Sequence, residues 1–225
     1  MLLAAPTHGC YGSGAMNHAV ILANGTPPPA DTLRHALAGA SLFVCADGGA
    51  NSARALGFTP GAIVGDMDSV TAETLREFAG VPLLRDADPE RTDLEKSLDY
   101  VLERGPFDGI RILGASAGRL DHVMGHISVL RKYGRRARTW LEDGHGRAFL
   151  AAGEALLDEP LGTVVSFFAV GAPAEGVTTH GLRYPLKASR IEMGVQDSVS
   201  NVIDGRSASI TIGSGELLVF VVTVP

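Results

Sequence analysis

Short apolar runs alternate with helical patterns from residue 19 to about residue 134. Apolar residues in a helical pattern recur every three or four positions, whereas a buried strand shows a continuous apolar run. The predicted strands are Ala19–Ala23, Leu42–Ala46, Ala62–Val64, Val81–Leu84 and Ile110–Leu113. Helices are predicted for Asp31–Ala38, for a short segment ending at Leu56-Gly57, for Thr71–Phe78, and after Thr92 and Arg119. This alternation predicts a Rossmann-like parallel sheet with helices on both faces.

The pattern changes after about residue 145, where helical periodicity disappears. Val164–Val170 is apolar, and Ala208, Ile210 and Ile212 alternate with polar residues as in a half-buried strand. Leu217–Val222 is apolar throughout, which predicts a strand buried on both faces or lying at a subunit contact. The predicted fold class is therefore α/β with a C-terminal antiparallel β-sandwich or roll domain. The predicted boundaries are a disordered leader over residues 1–15, an α/β nucleotide-binding domain over 16–145 and a β domain over 146–225.

Composition narrows the functional classes. The net charge is −6 and no Lys/Arg-rich stretch is present, so nucleic-acid binding is not expected. Cys10 and Cys45 are the only cysteines, which predicts no disulfide framework and fits a reducing compartment. No apolar run is long enough for a membrane span, and the leader does not resemble a signal peptide. We therefore expect a cytoplasmic protein whose natural start is Met16.

Acidic and glycine-rich loops follow nearly every predicted strand of the first domain. In parallel α/β sheets, ligands bind at the carboxyl ends of the strands, so these loops should converge at one edge. The loops are Asn24-Gly25, Asp47-Gly48-Gly49 with Asn51, Gly65-Asp66-Met67-Asp68, the stretch with Asp86, Asp88, Glu90 and Asp93, and Gly114 to Asp121 with Gly118 and Arg119.

Together these loops predict a site for a metal ion and a nucleotide. Carboxylates two residues apart can reach one Mg²⁺, glycine loops expose N–H groups to phosphate, and arginine adds a bidentate phosphate contact. Simpler interpretations remain open for each part. Asp47-Gly48-Gly49 and the loop at 114–118 could be ordinary turns, Asp66 and Asp68 could be solvated or cap a helix, and Arg119 could merely pair with Asp121.

Three other motif interpretations are weak. No Gly-x-x-x-x-Gly-Lys-Ser/Thr loop occurs, and Gly12-x-Gly14 lacks the third glycine and the preceding strand of a dinucleotide fingerprint. His122 and His126 are four residues apart on a predicted helix and could bind zinc, but no third ligand is evident.

Six motifs, in order, resemble the thiamine pyrophosphokinase family. They are Ala46-Asp47-Gly48-Gly49-Ala50-Asn51, Gly65-Asp66-Met67-Asp68-Ser69, Arg91-Thr92-Asp93-Leu94-Glu95-Lys96, Gly118-Arg119-Leu120-Asp121-His122, Gly181-Leu182-Arg183-Tyr184-Pro185-Leu186 and Ser200-Asn201 with Gly205. The resemblance extends over residues of about 19–222. The chain departs from the usual family pattern at Pro89, Arg91 and Ala117.

The resemblance implies a homodimer that moves a diphosphoryl group from Mg²⁺-bound ATP to the hydroxyl of thiamine, releasing AMP. It also implies that thiamine binds near the subunit interface, so that the β domain serves thiamine binding and dimerisation. Its metal carboxylates would be Asp47, Asp66, Asp68 and Asp93, with Arg119 and Asp121 lining the phosphates and substrate. Ser200 and Asn201 match its thiamine-side motif. The nucleotide-binding loops would then contribute Asn24, Gly25, Asp47, Gly48, Gly49, Asn51, Gly114 and Gly118.

The sequence leaves three rival functions open. Ile63 to Ser69 resembles the strand and Asp-x-Asp opening of phosphatases that use an aspartate nucleophile, although here the motif follows the third strand. A pterin diphosphokinase shares the acidic motifs, and a non-enzymatic nucleotide-binding module is the third alternative.

Overall fold

The computed structural model describes residues 17–116 and 119–223. The predicted leader with Cys10, the predicted start at Met16, and Ala117-Gly118 lie outside the described residues. The described chain forms two compact units. The N-terminal unit comprises the residues up to 129 together with 141–144, and the C-terminal unit comprises 130–140 together with the residues from 145 on.

The N-terminal unit is built on five parallel strands in the order β5-β1-β2-β3-β4. The strands are β1 (His18–Leu22), β2 (Ala40–Ala46), β3 (Ala62–Gly65), β4 (Leu83–Arg85) and β5 (Gly109–Leu113). The helices are α1 (Ala30–Leu37), α2 (Gly49–Ala55), α3 (Ala72–Glu77), α4 (Asp93–Leu102) and α5 (Leu120–Gly134), the last of which continues into the C-terminal unit. The predicted parallel α/β architecture is confirmed, with element ends shifted by one or two residues.

Helices cover both faces of this sheet. Val20, Phe43 and Ile63 point toward one side, where they pack in a single apolar cluster with residues of α1, α2 and α3. Helix α4 packs against β1, β2 and β3, yet its buried residues are absent from that cluster. Because side chains alternate between the two faces of a strand, α4 covers the opposite face.

The C-terminal unit is antiparallel, as predicted. Its first set of strands has the order β12-β9-β14-β7, and its second sheet has the order β11-β10-β13-β8. The strands from residue 139 on are β6 (Thr139–Glu142), β7 (Gly146–Ala151), β8 (Glu154–Leu157), β9 (Val164–Ala169), β10 (Ala174–His180), β11 (Ser189–Ile191), β12 (Ser198–Val202), β13 (Ala208–Thr211) and β14 (Leu217–Val222).

Strand β14 finds its cover within the chain. It lies between β7 and β9, and only Phe220 and Val222 of its six residues are less than fully buried. The first of the two predicted alternatives, burial on both faces, is therefore the observed one. A second subunit is not needed to cover this strand, so its apolar sequence no longer supports the predicted homodimer.

Among the described residues, no helix combines the length and the apolar character that crossing a bilayer requires.

Candidate active site

Asp47 is the buried centre of the acidic loops. It follows β2 with a φ of 43°, and only 2% of its surface is exposed. Its Oδ2 accepts a hydrogen bond of 3.2 Å from the backbone N–H of Ser69, whereas its buried Oδ1 has no hydrogen-bond partner. Burial raises the pKa of Asp47, opposed by hydrogen bonds from Gly48 and Ser69, and the charges of Asp93 and Asp66 raise it further. A buried carboxylate oxygen without a partner is the kind of atom that a bound cation would satisfy.

Asp66 and Asp68 lie beside Asp47 in the exposed loop after β3. One carboxylate oxygen from each of the three lies within 4.8 Å of the others. The loop is shaped by its own side chains, because Asp66 Oδ1 accepts from Asp68 N at 3.0 Å and Asp68 Oδ1 accepts from Ser69 Oγ at 2.8 Å. Among the described residues, this is the only group of three or more acidic, histidine or cysteine side chains so arranged. The oxygen set fits Mg²⁺, which prefers one or two carboxylates with further oxygen ligands.

Gly65 allows the carboxylates to come together. Its φ of 152° is one that other residues rarely adopt, and a Cβ there would lie 2.8 Å from Cβ of Asp47 and 3.0 Å from Oδ1 of Asp93. A side chain at this position would force Asp47, Asp93 or the end of the strand to shift. The glycine that ends β3 is therefore a requirement of the acidic site and not only of the turn.

Asp93 enters the site at the start of α4. Thr92 and Glu95 form a capping box, which determines where the helix begins. Asp93 is not one of the three close ligand residues, but it contributes to the charge around Asp47. Its Oδ1 accepts a hydrogen bond of 3.0 Å from Nζ of Lys96 one turn later. Asp93 thus lies next to the acidic group of Asp47, Asp66 and Asp68 without being one of its three close members.

Arg91, a departure from the family pattern, organises the loop before α4. Its guanidinium pairs with Asp86 at 2.5 Å, with Asp88 at 2.9 Å and with Asp99 at 3.3 Å. The ion pairs of Asp86 and Asp88 with Arg91 therefore hold this acidic loop in one conformation. The loop in turn fixes the position of Asp93 at the start of α4.

Three residues predicted to contact the nucleotide hold neighbouring loops in place, namely Asn51, Gly48 and Gly49. The Asn51 side chain donates to the carbonyl of Ser69 at 2.8 Å and accepts from the N–H of Thr71 at 3.0 Å, so it holds the loop after β3. A Cβ on Gly48 would lie 2.5 Å from the Asn24 side chain, and a Cβ on Gly49 would overlap the carbonyl of Leu22. The glycines are thus needed for the close packing of neighbouring loops, and their contact with phosphate stays a prediction.

Gly114 brings the loop after β5 close to the loop after β1. It has a φ of 72°, and a Cβ would lie 2.7 Å from the carbonyl of Ala23. The carbonyl of Gly114 accepts a hydrogen bond of 2.8 Å from the N–H of Gly25. The predicted Gly118 of the same loop lies outside the described residues.

Arg119 and Asp121 pair with each other at the start of α5. Arg119 Nη2 lies 2.6 Å from Asp121 Oδ2, and Nε lies 3.1 Å from Oδ1, with both side chains exposed. The hydrogen bond from Arg119 lowers the pKa of Asp121 and raises that of Arg119. This is the simpler of the two predicted interpretations, and the exposed pair remains accessible to a phosphate.

A cavity of about 390 Å³ lies between the loops after β1, β2 and β3 and the first turns of α4 and α5. It is lined by Ala23, Asn24, Ala46, Asp47, Ser69, Thr92, Asp93, Leu94, Asp121, His122, Gly125 and His126. Of the predicted residues, Asn24, Asp47, Asp93 and Asp121 thus share one cavity. Their convergence supports the predicted site at the carboxyl ends of the strands.

Sequence reasoning did not assign His122 and His126 to this cavity. Their rings meet edge to face at 6.4 Å, and His126 Nδ1 donates to the carbonyl of Ala115 at 2.7 Å. Burial lowers the pKa of His126, opposed by this hydrogen bond, and His122 lowers it further. The sequence signal for this pair is its four-residue spacing on one helix, which places both rings on the same side of α5.

The thiamine-side motif of the resemblance lies in the C-terminal unit. Asn201 is buried, and its Oδ1 accepts from the N–H groups of Tyr184 at 3.0 Å and Val202 at 2.9 Å. Its Nδ2 donates to the carbonyl of Tyr184 at 2.8 Å. Ser200 is exposed with a φ of 58°. Asn201 thus fixes the segment that carries Tyr184, while Ser200 is the member of the pair that faces solvent.

Comparisons with known proteins agree on one family. The family model described as "Thiamin pyrophosphokinase, catalytic domain" matches residues 33–141. The family model described as "Thiamin pyrophosphokinase, vitamin B1 binding domain" matches residues 155–217. Thiamine pyrophosphokinase 1 of Oryza sativa subsp. japonica is 29% identical over 202 residues, which cover 78% of this chain and 76% of that protein. The thiamine pyrophosphokinase of Bacillus subtilis is 27% identical over 184 residues, covering 79% of this chain and 86% of that protein.

Solved structures show the same fold along most of the chain. The crystal structure of the Bacillus subtilis thiamine pyrophosphokinase has a TM-score of 0.80 at 25% identity and covers 92% of this chain and 99% of that one. The thiamin pyrophosphokinase of Candida albicans has a TM-score of 0.82 at 17% identity, covering 92% and 89% of the two chains. With both domain descriptions matched in order and the acidic site in place, this chain belongs to the thiamine pyrophosphokinase family.

Proposed function

We propose that this chain transfers a diphosphoryl group from Mg²⁺-bound ATP to the hydroxyl of thiamine. The hydroxyl oxygen forms a bond to the β-phosphorus, and the bond between that phosphorus and the oxygen bridging it to the α-phosphorus breaks. AMP leaves with the electron pair, and the hydroxyl proton passes to a base or to water. The observation that carries the proposal is the triad of Asp47, Asp66 and Asp68, within 4.8 Å of one another, in a chain that matches both family domains.

The donor set fits Mg²⁺ on this chain's own chemistry. All three groups offer carboxylate oxygens, and the buried Oδ1 of Asp47 has no other partner. When bound, the ion would neutralise phosphate charge, which is the main requirement of phosphoryl transfer. Asp47, Asp66 and Asp68 would hold it, and Asp93 would support them from the start of α4.

The remaining residues of the cavity would bind and orient the nucleotide. Arg119 is exposed and can exchange its contact with Asp121 for a bidentate contact with phosphate. Asp121, released from that pair, could accept a proton or a hydrogen bond from the acceptor. The neutral form of His126 presents Nε2 as an acceptor, because Nδ1 is used in donating to Ala115. The loops with Asn24, Gly25, Gly48, Gly49 and Gly114 are proposed to contact ATP through their backbone.

The C-terminal unit is proposed to bind thiamine. Ser200 supplies an exposed hydroxyl, and Asn201 acts by fixing the backbone of Tyr184.

We also propose a homodimer in the cytoplasm. Exposed apolar side chains of the C-terminal unit support a contact with a second copy, namely Leu161, Tyr184, Met193, Val195 and Val199.

The alternatives from the sequence have less support. The Asp66-Met67-Asp68 motif follows β3 and not the first strand, unlike the phosphatase pattern. The matched descriptions name thiamine and not a pterin. Because such phosphatases form a covalent phospho-aspartate, we expect that no phosphorylated aspartate can be trapped on this chain.

A product assay tests the proposed function. The protein is mixed with MgCl₂, ATP and thiamine, and nucleotides and thiamine esters are separated by chromatography. AMP and thiamine diphosphate should appear in equal amounts. Formation of ADP with thiamine monophosphate would contradict diphosphoryl transfer, and a reaction with a hydroxymethylpterin in place of thiamine would favour the pterin alternative.

A further inference from the structure

Lys96 is a buried cation on an otherwise largely apolar helix face. Only 5% of its surface is exposed, and Leu94, Leu98 and Val101 are buried on the same helix. Lysine is almost never buried unless its ammonium is paired. Here Nζ donates to Oδ1 of Asp93 at 3.0 Å. The ammonium is therefore directed at the acidic site and away from solvent.

Asp93 connects Lys96 to the metal carboxylates. A Cβ built on Gly65 would lie 3.0 Å from Oδ1 of Asp93 and 2.8 Å from Cβ of Asp47. The carboxylate of Asp93 thus lies close to Gly65 and beside Asp47, and its Oδ1 also accepts the hydrogen bond from Lys96. Across residues 17–116 and 119–223, no other lysine or arginine forms an ion pair with the four predicted metal carboxylates.

Helix stability does not explain why a lysine occupies this position. An ion pair three residues apart on a helix stabilises it only slightly. A buried face is served equally well or better by an apolar side chain, because burying an ammonium has a large desolvation cost. The charges in front of Lys96 supply the missing reason. The carboxylates in front of the ammonium and the triphosphate of a nucleotide repel each other, so one nearby cation lowers the repulsion that the nucleotide meets.

We propose that Lys96 is a positioning residue that holds Asp93 against Gly65 and weakens the binding of free divalent cations while strengthening the binding of the nucleotide. This inference rests on the proposed Mg²⁺–ATP site. Lys96 occupies one oxygen of Asp93 that a cation would otherwise attract, and its charge opposes the cation directly. The same charge attracts phosphate. Removing it should therefore change the two affinities in opposite directions, which a purely structural lysine would not do.

Binding of Mn²⁺ to the protein without nucleotide tests the first half. Isothermal calorimetry would compare the unmodified protein with Lys96→Met, Lys96→Arg and a control, Lys132→Met, which removes an exposed lysine of α5. Mn²⁺ should bind Lys96→Met about 10-fold more tightly, because one unit charge in a partly buried site changes the affinity by at least that much. Lys96→Arg and Lys132→Met should stay within about twofold of the unmodified protein.

Binding of an ATP analogue with a methylene bridge between its α and β phosphates tests the second half. With saturating Mg²⁺, Lys96→Met should bind it about 10-fold more weakly. In the Asp93→Asn background, Lys96→Met should change Mn²⁺ affinity by only about threefold, because the effect exerted through Asp93 is gone and only the direct charge effect of the lysine remains. Unchanged or weaker Mn²⁺ binding by folded Lys96→Met would overturn the inference. If near-ultraviolet circular dichroism shows Lys96→Met to be unfolded, Lys96→Gln takes its place with the same criteria. Failure of the unmodified protein to bind Mn²⁺ would overturn the metal proposal itself.

Discussion

At the scale of single residues, the acidic site is a set of side chains kept close against their mutual repulsion. Asp47 is almost fully buried, with one carboxylate oxygen unpaired and a left-handed backbone. Asp66 and Asp68 are exposed but held by hydrogen bonds within their own loop. Such a cluster weakens the fold unless a cation neutralises it, so its presence indicates a function.

Asp68→Asn should lower turnover by about 100-fold or more, because the amide keeps the shape of the side chain but removes a charge from the proposed metal site. The loop is exposed, so the fold should survive. Steady-state kinetics and urea denaturation would measure both effects. Asp31→Asn is the matched control, since Asp31 is an exposed aspartate paired with Arg34. Near-normal turnover of a well-folded Asp68→Asn variant would remove Asp68 from the site.

Gly65→Ala should destabilise the protein by about 1–3 kcal/mol, because it combines an unfavourable φ with a contact of 2.8 Å to Asp47. It should also weaken Mn²⁺ binding by displacing Asp47 or Asp93. Gly80→Ala is the control, since a Cβ there meets nothing within 4 Å. Equal unfolding free energies for the two variants would show that the acidic site tolerates a side chain at the end of β3.

At the scale of elements, polar groups in both units lie near the ends of strands. In the N-terminal unit, the loops after β1, β2, β3 and β5 are held together by glycine contacts and by Asn51. In the C-terminal unit, an ion pair joins Arg147 of β7 to Glu159, which follows β8. Glu159 has one buried carboxylate oxygen without a hydrogen-bond partner.

Glu159→Gln should make stability less dependent on pH. Burial raises the pKa of Glu159 above its ordinary value of 4.5, although Arg147 opposes the shift. A raised pKa in the folded state means that the stabilisation is complete below the unfolded pKa and is lost as pH rises through the folded pKa. The unmodified protein should therefore lose unfolding free energy relative to Glu159→Gln as pH rises from about 4.5. Urea denaturation between pH 4 and 8 would measure this, and a constant difference would contradict it.

At the scale of the whole molecule, dimerisation is the main open prediction. Strand β14 is covered within one chain, so the support now comes from exposed apolar residues such as Tyr184, Val195 and Val199 and from the family resemblance. Contacts between copies of one chain are usually two-fold symmetric. A shared thiamine site would then draw on both chains.

We expect a dimer by sedimentation at micromolar concentration. Mixed and exchanged, inactive Asp68→Asn and Asn201→Ala subunits should regain part of the activity, up to about a quarter, because only one of the two sites in a mixed dimer is intact and half of the dimers are mixed. Homodimers of each variant, treated in the same way, are the controls. A fully active monomer would contradict the dimer, and absence of recovery despite proven exchange would contradict only the shared site.

The elements and the class of fold can be predicted from the sequence. Periodicity in α4, the capping box of Thr92 and Glu95, and the apolar runs of β1 to β3 are local signals that need only neighbouring residues. The rule that loops meet at the carboxyl ends of parallel strands was enough to group Asn24, Asp47, Asp93 and Asp121, and the motif order indicated the family.

The tertiary structure is needed to show which side chains line the cavity and which hold backbone and loops in place. Asn51, Asn201 and Arg91 occur in or beside site motifs, yet their hydrogen bonds and ion pairs hold backbone and loop acids. His126 and Lys96 reach the site from helix positions whose direction depends on how α5 and α4 pack. The order of residues in the sequence shows which motif a residue belongs to. Burial, hydrogen-bond partners and neighbouring charges arise only when distant segments come together. These three properties determine what each side chain can do.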